Sequence, residues 1–152
     1  MTEENYRALI ERLTMLNTDA EKGFKLASEQ AEDEELQVWF EYRSKERKSM
    51  AEELRLSMES FAQTTERETT IPGTIHRAYI KLQQFLSSDE KSTELLITEC
   101  KLGETELLNL YKRAIFKSPY IVKIQGVLEQ HKQYVERSLA YLEHAIEKHQ
   151  VT

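Results

Sequence analysis

The chain has 152 residues, a formal net charge of −6, and only 4 glycines and 2 prolines. That length fits one domain over 1–152 with a core of its own, and the scarcity of turn residues favours long helices over a sheet. The acidic balance argues against nucleic acid as a partner, and without an N-terminal apolar run neither a signal peptide nor a membrane span is expected. The first helix is predicted from about Thr2 to Glu29, with Thr2 as N-cap and Glu3 and Glu4 in its first turn. Its apolar stripe is Tyr6, Leu9, Ile10, Leu13, Leu16, Ala20, Phe24 and Ala27, with Asn17 inside it and Glu21 at its border. A short turn follows, and Asp33 caps a second helix that runs to about Ala62. That helix carries Leu36, Trp39, Phe40, Met50, Leu54, Met58 and Phe61, with no apolar stripe residue between Phe40 and Met50. Arg43 falls near the stripe's centre there, Arg47 slightly off it, and Glu46 and Glu53 flank it. The tight turn predicts an antiparallel hairpin in which Arg43 comes level with Glu21.

Residues 63–73 are polar, threonine-rich and end in Ile71-Pro72-Gly73, so they read as a loop. Thr74 then caps a predicted short helix from Ile75 to Phe85. A connection this long can carry the chain along the bundle and leave the second and third long helices parallel, as in a ferritin-like crossover. Ser87 with Glu90, or Ser88, caps the third long helix, which ends near Lys117. Leu96, Cys100, Gly103, Leu107, Leu110 and Ala114 recur at spacings of three and four. On a helical wheel Glu99 lies inside that stripe, roughly 60° from its centre, and Glu104 at its border, roughly 80° away. Ser118-Pro119 opens the fourth helix, whose stripe is Ile121, Ile124, Leu128, Val135, Leu139, Leu142 and Ile146. His131 falls in it, and the hairpin count sets His131 roughly level with Glu104.

Glu21, Arg43, Glu46, Glu53, Glu99, Glu104 and His131 thus come from four helices, and all lie in or beside an apolar stripe. Carboxylates and an imidazole converging in a helical bundle are the ligand types of carboxylate-bridged di-iron proteins, because hard oxygen donors can hold and share two cations. Such centres use Glu-x-x-His, and no Glu of this chain has His three residues on. A guanidinium in a core stripe must find carboxylates. Arg43 together with Arg47, with Glu21, Glu46 and Glu99 in reach, is therefore expected to supply the positive charge that metal supplies in related bundles. Nothing supports a serine or cysteine nucleophile, a phosphate loop or a paired cysteine site. The lone Cys100 suits a reducing, cytoplasmic compartment and reads as a small buried hydrophobe.

Asp19-Ala20-Glu21-Lys22-Gly23-Phe24, Glu46-Arg47, Glu53-Leu54, Gly73-Thr74-Ile75-His76-Arg77 and Glu99-Cys100-Lys101-Leu102-Gly103-Glu104 occur in that order, followed by Tyr111 and His131. In order and spacing they resemble an uncharacterised bacterial family of four-helix-bundle proteins with a ferritin-like domain, over nearly the whole chain. The resemblance implies a ferritin-like bundle, implies no established activity, and makes Glu21, Glu53, Glu99, Glu104 and His131 the positions for a metal. Two functions follow as expectations. The first is a non-enzymatic bundle with an inward Arg/Glu/His cluster and no resident cofactor, stress-related by analogy alone. The second is a di-iron-type protein binding iron or another divalent metal, with iron storage or oxidase activity. A homo-oligomer is expected as the partner, with neither nucleic acid nor membrane, and the ligand is left open.

Overall fold

A computed structural model describes residues 3–61, 84, 93–117 and 122–150. The long helices are α1, Glu3–Gln30; α2, Glu34–Phe61; α3, Thr93–Phe116; and α4, Val122–Gln150. The capping residues predicted at Thr2, Ser87, Ser88, Glu90 and Ser118-Pro119 lie outside the described residues. So do the loop and all but Gln84 of the predicted crossover helix, with His76. Asp33 does cap α2: its Oδ1 accepts the backbone N–H of Glu35 at 2.8 Å and of Leu36 at 3.4 Å. Among the described residues no helix is long and apolar enough to cross a membrane.

Cross-helix contacts establish the topology. Ser44 Oγ donates to the Glu21 carbonyl at 2.8 Å, and the Phe24 and Phe40 rings lie 6.0 Å apart, so α1 and α2 are antiparallel. Tyr111 bonds to His131 at 2.9 Å while Lys101 pairs with Glu143 at 3.6 Å, so α3 and α4 are antiparallel too. Across the bundle α2 meets α4 through Glu35–Lys148 at one end and Glu53–His131 at the other. α1 packs on α3, and α2 and α3 lie on the diagonal. Phe40 of α2 shares a cluster with Ile97 of α3, and Arg47, further along α2, reaches Glu104, further along α3. The two diagonal helices therefore run parallel, which the long connection between them permits and a tight hairpin would not.

The apolar interior is divided in two. At the end holding the α1–α2 turn, Phe24, Ala27, Leu36, Phe40, Leu96, Ile97, Cys100 and Leu142 pack together. At the other end a larger cluster includes Ile10, Leu13, Met50, Leu54, Leu107, Tyr111, Leu128 and Val135. Between them the helices contribute buried polar side chains instead, namely Asn17, Ser44, Arg47, Glu104 and Ser138.

Candidate functional site

The polar layer recurs at seven-residue spacing. Arg47 stands midway between Phe40 and Leu54, and all three are 0% exposed. Glu104 stands midway between Ile97 and Tyr111, and is 1% exposed. Asn17 falls between Ile10 and Phe24, and His131 between Ile124 and Ser138, all buried. Seven residues are nearly two turns, so each triplet lies on the face that seats the helix against its neighbours.

The centre of the layer is an ion pair across the bundle diagonal. Arg47 Nη2 donates to Glu104 Oε2 at 2.6 Å, and Arg47 Nε to Glu104 Oε1 at 3.1 Å. The planar fork of guanidinium matches the two carboxylate oxygens, which only arginine achieves among the cations. Arg47 Nη1 donates to Glu46 Oε1 at 2.6 Å and touches Met50 Sδ at 3.1 Å. Its Cζ lies 5.8 Å from the centroid of the Phe24 ring. Burial opposes the charge on Arg47, but Glu104 and Glu46 outweigh it and hold the group protonated above its ordinary range.

Beside the pair runs a hydrogen-bonded chain. Asn17 Nδ2 donates to the Leu13 carbonyl at 2.9 Å and to the Tyr111 hydroxyl oxygen at 2.8 Å. The Tyr111 hydroxyl meets His131 Nδ1 at 2.9 Å, and His131 Nε2 lies 3.3 Å from Glu53 Oε1. Partners assign the tautomer. A lone pair on Nε2 would face the Glu53 carboxylate, so the proton sits on Nε2 and Tyr111 donates to Nδ1. Burial, and then the charge of Arg47, push His131 down to about 4, so the imidazole is neutral at physiological pH. Burial likewise pushes the Tyr111 hydroxyl well above its ordinary value, against the lowering effects of the Asn17 bond and of Arg47. The Cys100 thiol is driven up by burial, then by Glu104 and Glu99, which leaves it inert.

These positions refine the expectations in three respects. Arg47 is the deepest cation, 0% exposed, with Arg43 bound to the same Glu46 beside it. Arg43 keeps 18% of its side chain exposed, binds both oxygens of Glu46 at 3.1 Å, and lies over the ring of the exposed Tyr42 at 4.5 Å. Glu104 and Glu99 exchange roles: Glu104 is central, and Glu99 is only half-buried. His131 comes level with Tyr111 and not with Glu104, because the Tyr111–His131 and Lys101–Glu143 contacts centre the α3–α4 pairing beyond Ser118-Pro119, about two turns from the hairpin count. Glu53 is 48% exposed on its side chain, and Glu21 is half-buried and meets α2 through its backbone carbonyl. Sequence reasoning passed over Asn17 and Tyr111 as site residues, although both hold central places in the layer.

Both oxygens of Glu104 are engaged by Arg47, Glu46 is shared by two guanidinium groups, and His131 Nδ1 is engaged by Tyr111. Only the Glu53–His131 pair remains, and among the described residues no three of His, Cys, Asp and Glu form a cation-holding group. The donor set does not fit a di-iron centre.

Four long helices with the second and third parallel across the diagonal make this a ferritin-like bundle. A solved structure of a point mutant of Dps1 from Mycobacterium smegmatis superimposes with a TM-score of 0.73, covering 96% of this chain and 99% of that one, at 12% identity. At that identity the likeness is one of fold. The chain belongs to the family described as "Domain of unknown function (DUF2383)", whose model matches residues 6–117. No curated protein matches the chain.

Proposed function

We propose that this chain is a non-enzymatic ferritin-like bundle in which the guanidinium of Arg47 supplies the positive charge that metal ions supply in carboxylate-bridged bundles. The observation that carries this reading is the bidentate Arg47–Glu104 pair, fully buried on the diagonal. A fixed cation on the chain itself neutralises the inward carboxylates, and its charge disfavours a second cation beside it. The proposal places the chain in the reducing cytoplasm of a bacterium, which the lone buried Cys100 suits. A role in stress is carried by analogy with the fold alone, and the net charge of −6 weighs against nucleic acid.

One observation favours the second reading, a metal-binding bundle with iron storage or oxidase activity. His131 Nε2 and the half-exposed Glu53 carboxylate lie 3.3 Å apart and could begin a site open to solvent. Anaerobic loading with ferrous iron, desalting and elemental analysis separates the two. The first reading expects well below one iron per chain. Near-stoichiometric iron, lost in both Glu53→Gln and His131→Ala, would overturn it in favour of the second.

A further inference from the structure

The outward face of α3 carries large apolar side chains in a line. Leu95, Leu102 and Phe116 are 44%, 57% and 85% exposed. They are spaced by seven and fourteen residues, with exposed Asn109 at the remaining place in the series. The line is about 31 Å long at 1.5 Å per residue. A seven-residue period is what a second helix laid alongside requires, and the same period already seats the inner face of α3 in its own bundle. Along this face Glu94 and Glu99 stand toward the N-terminal end and Lys112 and Arg113 toward the C-terminal end, with Lys101, which pairs with Glu143 of α4 at 3.6 Å, and Glu106 between them.

We propose that this face binds a second copy of the chain, α3 against α3, antiparallel about a twofold axis between Thr105 and Glu106. That axis sets Leu95 over Phe116 of the second copy and Leu102 over its Asn109. Glu99 comes opposite its Lys112 with Arg113 next to it on the same edge as Glu99, and symmetry makes each contact twice. A parallel arrangement would set like charges together along both edges. The antiparallel one also opposes the two helix dipoles. Glu106 meets its own copy near the axis, a like-charge contact that weakens the dimer. One helix pair buries less than the ~1,600 Å² of a standard interface, so the dimer is weak and concentration-dependent.

The exposed apolar residues of α2 are a poorer match. Val38, Tyr42 and Leu56 are exposed, but the neighbouring charges pair within the helix, Lys45 with Glu41 at 3.5 Å and Arg55 with Glu52 at 2.7 Å. α2 has an acidic first turn, Glu34 and Glu35, but no basic last turn, so it offers no pair of opposite ends to direct a second copy. α2 is therefore the internal control.

Sedimentation equilibrium on the full chain over a wide range of concentration tests the proposal, with circular dichroism confirming that each variant keeps its helices. Leu102→Glu should abolish the dimer. Glu99→Arg and Arg113→Glu should each raise its Kd roughly ten-fold or more, and the double exchange should restore it. Glu106→Gln should tighten it, and Tyr42→Glu should leave it unchanged. A monomer at every concentration overturns the proposal. So does a dimer broken by Tyr42→Glu and indifferent to Leu102→Glu, or a double charge exchange that fails to rescue.

Discussion

Arg47 cannot shed its proton, so its environment has to keep the carboxylates that face it. Removing one member of a buried pair strands the other. Arg47→Met should accordingly cost on the order of 3–5 kcal/mol in urea or thermal unfolding. Arg47→Met combined with Glu104→Leu should recover much of that loss, giving a large coupling energy in the double-mutant cycle. Arg43→Met should cost clearly less than Arg47→Met, because Arg43 keeps 18% of its side chain exposed and its ion pair runs along its own helix. Equal effects at the two arginines would refute the distinction. His131 gives a second test. Its folded value near 4 lies below the unfolded value near 6.5, so between them the unfolded chain binds the extra proton. Stability contributed by the neutral imidazole is therefore full above about pH 6.5 and is lost as pH falls toward 4. By that linkage wild type should lose about 2 kcal/mol between pH 7 and pH 5, and His131→Gln should not show this loss. The stability gap between them should narrow over the same interval, and a constant gap would contradict the depressed value.

At the level of single helices, the polar layer was partly written in the spacing. Phe40-Arg47-Leu54 and Ile97-Glu104-Tyr111 each read apolar, charged, apolar at intervals of seven. Averaging all apolar residues over a 3.6-residue wheel displaced the apparent centre of each stripe, toward Arg43 on α2 and away from Glu104 on α3. The seven-residue seam, which follows the partner helix as it wraps, identifies the buried position correctly. Tyr111 was hidden for a related reason, since a tyrosine in an apolar row looks like packing until a hydrogen-bond partner is known. α4 offers a test of local propensity. Gly126 is exposed within the helix, and a Cβ built there meets nothing within 4 Å. Gly126→Ala should raise stability by about 0.5–1 kcal/mol with no other change, read as a higher melting temperature.

For the molecule as a whole, the layer separates two apolar clusters and sets the four helices in one register. Sliding α3 by a turn along α2 would bring Glu104 against hydrocarbon and leave Arg47 without its fork. This is a known use of buried polar pairs, which specify an arrangement more than they stabilise it. The cation is also part of the chain. Chelation should therefore leave the unfolding midpoint of the purified protein unchanged, where a bundle held by metal would melt lower. A clear drop in midpoint with chelator, reversed by a divalent metal, would argue that the layer is completed by an ion.

The amino-acid sequence by itself determined the order of the four long helices and the Asp33 cap. It also determined, through the length of the second connection, that α2 and α3 could run parallel. These are local properties: periodicity, capping chemistry and chain length. Tertiary structure alone decided which arginine is buried and which glutamate faces it. It also decided that His131 joins Tyr111 and Glu53. Those outcomes depend on the rotation and axial offset of one helix against another. Offsets of one residue turn a side chain by about 100°, less than the width of an apolar stripe resolves.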